Sequence, residues 1–162
     1  MAPITVQDLT VDFRHLDQKA LLADWEWLIG PHRLPILITF LGHAFVQDAG
    51  DGTVHQLDTA FGELEQVASS PDELATLLGD REFVTDRLLP ELFAELRDAG
   101  MELAPGQVFA FRTPPALGGE VTAENIEATD IEVHFSLTGQ IHRQIAGLPA
   151  GTPIPQIRIE DP

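Results

Sequence analysis

Between Pro35 and Ser70, turn-forming residues cut the chain into short apolar runs, and such runs leave room for little except antiparallel strands. The run Ile36 to Leu41 is closed by Gly42, and Ala44 to Gln47 runs into Asp48-Ala49-Gly50-Asp51-Gly52, a dense turn signal. Thr53 to Asp58 follows, with Val54 and Leu57 as its candidate buried positions. Ala60 to Gly62 makes another turn before Glu63 to Val67, where Leu64 is the apolar position. Four such strands predict a twisted antiparallel meander.

Helical signals flank it. Asp17 can cap a helix over Gln18 to Ile29, with Leu21, Leu22, Trp25, Leu28 and Ile29 forming an apolar stripe and Gly30-Pro31 ending it. Trp25 and Trp27 lie two apart, so a regular helix points them to different sides. One is expected in the core, the other partly exposed or against the following loop. Ser70, Pro71 and Glu73 have the capping-box arrangement and open a helix through Leu74, Leu77 and Leu78. Asp80 can cap a second, Arg81 to about Ala99, which Pro90 must kink or divide. Residues 3 to 15 read as a short helix or an extended lead-in. Gln107 to Arg112 reads as a strand, 113 to 120 as a loop of defined shape, and 121 to 128 as strand or turn. Ile131, His134, Leu137, Ile141 and Ile145 are 3, 3, 4 and 4 apart, which favours a helix capped by Thr129 or Asp130. The competing reading is a strand through Ile131, Val133 and Phe135. Gly139 weakens the helix without forbidding it. The tail, 147 to 162, reads as irregular, with Ile154 or Ile157 available to pack. No repeat or dividing linker is visible. The layout predicts a single α+β domain over 1 to 162, an antiparallel meander sheet packed with helices.

With 44% hydrophobic residues, the 162-residue chain can build a real core. It has no cysteine, which removes disulfides, thiolate nucleophiles and cysteine-bound zinc. Nine basic residues face 26 acidic ones, for a formal charge of −17. Nucleic acid and anionic membranes are repelled by such a chain, and a basic protein is attracted. The same acidity also serves solubility alone. The start carries no secretory pattern, and the longest apolar stretch, Leu34 to Val46, is broken by Pro35, Gly42 and His43. A cytoplasmic location is the expectation.

Chemistry-bearing patterns are sparse. His15, His32, His43, His55, His134 and His142 contain no HExxH. His134 and His142, eight apart, can share a helix face but cannot chelate one ion, whereas His43 and His55 sit on neighbouring strands and could approach. Asp48 and Asp51 lack the alternating ligands of a calcium loop and fit a hairpin turn. No GxSxG or phosphate-binding glycine pattern is present. No catalytic residue, cofactor or metal site is therefore expected. The candidate partner contacts are Asp48 and Asp51 in the turn, Glu120 in the 114 to 120 loop, and the polar group Gln140, His142, Arg143 and Gln144.

The segments Asp24-Trp25-Glu26-Trp27-Leu28-Ile29-Gly30, Phe45-Val46-Gln47-Asp48 and Asp51-Gly52-Thr53-Val54-His55 belong to a longer pattern. It continues through Pro114-Pro115-Ala116-Leu117-Gly118-Gly119-Glu120 and His134-Phe135-Ser136-Leu137-Thr138-Gly139-Gln140-Ile141-His142-Arg143-Gln144. Together, over about residues 4 to 146, they resemble a bacterial domain that also forms the C-terminal domain of Tdi-type type VI secretion immunity proteins, with a more distant similarity to the Smi1/Knr4-like superfamily. The resemblance implies a non-enzymatic protein that neutralises a cognate secreted toxin, a DNase in those relatives, by direct binding. It also implies that this chain is the C-terminal-type domain without the extra N-terminal domain of longer members. Two other readings stay open: a housekeeping interaction module, and a hydrolase or metal enzyme built on His43, His55 or the His134/His142 region.

Overall fold

Ala44, Phe45 and Val46 are consecutive and all fully buried, which a strand permits only when both faces of its sheet are covered. The computed structural model, which describes residues 3–149 and 158–161, shows how this is achieved. Five antiparallel strands lie in sequence order: β1 (Thr10–Val11), β2 (Arg33–Thr39), β3 (Ala44–Asp48), β4 (Val54–Asp58) and β5 (Glu63–Ala68). Four of them are the expected meander. The fifth, β1, comes from the lead-in, where Asp8 accepts from the Thr5 amide at 2.8 Å to form a turn rather than a helix. Proline in a strand needs an open edge or a bulge. Pro35 has both: β1 covers only Thr39 and Ile38, and the β2–β3 register shifts between Pro35 and Leu37.

On one face, Trp25, Ile29, Ile38, Val46, Leu57 and Phe135 form a common core. It lies beneath α1 (Gln18–Leu21), a 3-10 turn (Ala23–Trp25), α2 (Glu26–Ile29) and α6 (Ile131–Ala146). Asp17 caps α1 as expected, accepting from Lys19 and Ala20. The single helix expected over 18 to 29 is broken at Leu22; one tryptophan is in the core and the other partly exposed, as expected, but the two rings do not point to different sides. The 3-10 turn ends at Trp25 and α2 begins at Glu26, and across this junction the rings of Trp25 and Trp27 stack at 5.8 Å and 20°. Trp25 is fully buried and Trp27 is at the margin of exposure.

The other face is covered by α3 (Pro71–Leu77), α4 (Arg81–Leu88) and α5 (Pro90–Asp98), whose apolar residues meet Phe40, Phe45, Val54 and Phe109. Ser70 caps α3 through the Glu73 amide, while the Glu73 carboxylate takes the Ser69 hydroxyl at 2.6 Å. Pro90 divides the expected long helix into α4 and α5, with Leu89 at φ 53° between them. The strands β6 (Gln107–Phe111) and β7 (Ile126–Asp130) form a second, two-stranded sheet, and the Phe109 amide donates to Phe40 at 2.7 Å. Asp130 caps α6. The strand alternative for this segment fails because Val133 is exposed while Ile131 and Phe135, one helical turn apart, are buried. The chain is thus a single α+β domain of antiparallel sheets packed with helices. Ile154 and Ile157 lie outside the described residues. Among the described residues, no helix is long and apolar enough to cross a membrane.

Candidate functional site

α6 settles onto the sheet through two histidines that reach one residue, Thr59, in the turn after β4. The ring nitrogen Nε2 of His134 lies 2.9 Å from the Gly42 carbonyl and 3.1 Å from the Thr59 hydroxyl, which itself donates to Gly42 at 2.8 Å. A carbonyl can only accept, so Nε2 carries the proton and Nδ1, which has no partner, is a bare lone pair. Eight residues on, Nε2 of His142 donates to the Thr59 carbonyl at 3.0 Å, and its ring lies 5.5 Å from Trp25. The Thr59 amide donates to Nδ1 of His43 at 3.2 Å. These contacts need Gly42 and Gly62. Both have positive φ, and a Cβ on either would run into the ring of His134 or His142.

Burial disfavours the imidazolium throughout this group. It pushes His134 down to about 4 and lowers His43 and His142, Asp58 partly offsetting the effect for His43. The three rings are therefore neutral wedges near pH 7. His43 and His55 do not come together. His43 sits against Asp58 and Thr59, while His55 pairs with Val46 toward the other end of β4 and senses Asp51, Asp48 and Arg33. Among the described residues, no group of three or more histidines, cysteines or carboxylates is placed to hold a metal ion.

Beside this network lies a cleft of about 180 Å³. The 114 to 117 segment, the end of β6 and α6 form its walls, apolar through Leu41, Phe111, Pro115, Leu117, Leu137 and Ile141. Thr59 and His134 line it too, and Arg112 and Glu127 face each other across 4.0 Å. One side chain fixes its mobile-looking wall. Asn125 accepts from the Thr113 amide at 2.9 Å and donates to the carbonyls of Thr113 and Glu120 at 2.8 Å each. The loop therefore has the defined shape its prolines and glycines implied.

The predicted contact residues fall at three places. Asp48 and Asp51 are spent largely on their own hairpin. Asp48 accepts from Gly50 and Asp51 and pairs with Arg33 at 3.2 Å; Asp51 accepts from Thr53. Those hydrogen bonds hold both carboxyls below the usual carboxylate range. Glu120 is exposed in the loop beside the cleft, and Arg143 is exposed on α6. His142 is not on the surface: it is 4% exposed and locked under Trp25, a correction that follows from its ring pointing to the sheet. Gln140 and Gln144 flank a polar stripe that begins with Ser136, whose hydroxyl donates to Asp24 at 2.7 Å. The 114 to 120 loop, chosen from the sequence, does form a cleft wall through Leu117, but sequence reasoning missed Thr59 and the cleft residue Phe111, because nothing local marks a turn threonine that two distant histidines will reach. Gly42 and Gly62, beside the histidines they admit, were the available hint.

Residues 68–142 match the model of a family described as T6SS immunity protein Tdi1, C-terminal. The matched stretch runs from the end of β5 to His142, so it holds the cleft loop, His134 and Gln140 but not Thr59, Trp25 or Gln144. Among solved structures, the crystal structure of Atu4351 from Agrobacterium tumefaciens has the same fold, with a TM-score of 0.52 at 16% identity. The alignment covers 76% of this chain and 62% of that one, so the chain spans less than two thirds of its length. No curated protein matches the sequence. The fold and the family match agree on the class: an α+β domain that resembles the C-terminal domain of Tdi-type type VI secretion immunity proteins.

Proposed function

We propose that this chain is a non-enzymatic, immunity-type binding protein that neutralises a cognate secreted toxin by direct contact. The observation that carries the reading is the match of residues 68–142 to an immunity-protein family. The site is consistent in kind: His134 and His142 hold α6 to the sheet, and beside them lies an apolar cleft of side-chain size. The partner we propose is a basic protein, in particular a DNase. The charge of −17 would speed its encounter with such a toxin and disfavour nucleic acid itself. An apolar side chain of the toxin would anchor in the cleft, within a polar rim that includes Arg112 and Glu127. Asp48 and Asp51 form a second contact region, an acidic one, and the stripe on α6 where Gln140 and Gln144 hold the main chain of Glu160 and Arg158 forms a third, uncharged one.

The test is protection in living cells. The chain is co-expressed with a secreted nuclease encoded beside it, and survival and chromosome integrity are scored. Survival that falls when Leu137 is replaced by Glu in the cleft wall supports the proposal. Killing that continues at full rate with the folded chain present in excess argues for a housekeeping interaction module instead.

A further inference from the structure

Gln140 and Gln144 each hold the main chain of another segment with both ends of their amide. Gln140 donates through Nε2 to the Glu160 carbonyl at 2.7 Å and accepts from the Glu160 amide at 2.6 Å. Gln144 does the same with Arg158, at 2.6 Å and 3.0 Å. The pairs run in opposite directions along the two segments, and each has the donor–acceptor pattern of a residue pair in an antiparallel ladder. The spacing explains why it works. Four residues of helix rise about 6.0 Å, and two residues of extended chain about 6.6 Å. Glutamines at i and i+4 therefore meet alternate residues of a strand. An amide side chain is the chemical equivalent of a peptide group, so α6 presents a short imitation of a strand edge.

The amide orientation is set in advance. The Asp24 carboxylate can only accept, so it takes the Ser136 proton. The Ser136 oxygen then accepts from Gln140 Nε2 at 3.1 Å, which aims Oε1 at the strand amide. The held segment contributes no buried side chain: Arg158, Ile159 and Glu160 are all exposed. Among the described residues, the hydrogen bonds that α6 makes to this segment all go to its main chain.

We infer that Asp24, Ser136, Gln140 and Gln144 form a strand-binding clamp whose resident occupant is the chain's own segment 158–160 and whose ligand class is any extended polypeptide backbone. This goes beyond the immunity reading and does not depend on it. Because these hydrogen bonds go to main-chain groups that every extended segment carries, another segment can take the place of the resident one. It must then compete with an occupant that belongs to the same chain.

Amide hydrogen exchange on the full chain, resolved residue by residue by NMR, tests the clamp. The amides of Arg158 and Glu160 should exchange on the order of tenfold more slowly than those of Ile159 and Asp161. Gln144→Ala should abolish the protection at 158 and Gln140→Ala that at 160, with the amides of Phe135 and Ile141 unchanged as the control for folding. A hexapeptide of residues 156–161 at several millimolar should release both amides. A proline-free hexapeptide of unrelated sequence should do the same. The native peptide N-methylated at the positions of Arg158 and Glu160 should not. Equal exchange across 158–161, protection that survives the double substitution, or no release by any peptide would each overturn the inference, as would release that depends on sequence order.

Discussion

Thr59 engages three histidines, through its hydroxyl, its carbonyl and its amide, and the consequences at the scale of single residues follow from that. His134 is the most sensitive. Its pKa falls from 6.5 in the unfolded chain to about 4 on burial. Between those values the unfolded state binds the proton and the native state does not. The neutral ring's contribution is therefore present above pH 6.5 and is lost as the pH falls toward 4, at up to about 1.4 kcal/mol per pH unit. His43 and His142 shift the same way and steepen the loss. Urea denaturation at a series of pH values should show stability declining over this window, and His134→Gln, which keeps a donor for Gly42, should flatten the slope. Gly42→Ala should cost about 2–4 kcal/mol in the same assay, from its backbone conformation and from displacing the His134 ring. The tryptophans should separate: Trp25→Ala should cost about 3–5 kcal/mol, and Trp27→Ala markedly less because it is half outside the core. A melt in which the two variants lose equal stability would contradict the placement of Trp25 at the centre of the packing.

Elements were legible where local chemistry decides them. Ser70-Pro71 with Glu73, Pro90 in the long helix, and the turn at 48 to 52 each state a boundary in adjacent residues, and each boundary is found. The helix α6 was legible because its apolar spacing outweighs the β-branched residues within it. What could not be read depended on distant partners. The two-residue β1 is a strand only because β2 is beside it. The stacking of Trp25 on Trp27 spans a change from 3-10 to α geometry that no glycine or proline announces. Gly139 looked like a weak point and is a requirement, because any side chain there would strike the Asp24 carbonyl where α6 crosses the N-terminal helices. α6 thus carries the histidine wedges, a cleft wall and the glutamine stripe, and its start matters accordingly. Asp130→Ala removes acceptors for Glu132 and Val133 and should lower stability by about 1 kcal/mol, read as a shifted urea midpoint at unchanged slope.

At the scale of the whole molecule, three properties meet: an excess of 17 negative charges, an α+β frame with an apolar cleft of side-chain size beside α6, and a family match that covers that helix as far as His142. The account joins them as steering, anchoring and class. Steering acts mainly on the rate of encounter and anchoring mainly on the lifetime of the complex, so the two can be separated. Raising salt from 50 to 500 mM should slow association by about tenfold or more with a smaller change in dissociation. Leu137→Glu should do the reverse. The central claim is tested most directly by surface-immobilised chain and a candidate toxin of the proposed class, a secreted nuclease purified in catalytically inactivated form. The account predicts saturable one-to-one binding with that salt dependence, weakened at least tenfold by Leu137→Glu in a protein that still melts cooperatively. An absence of binding at micromolar nuclease, with the chain folded, would contradict it.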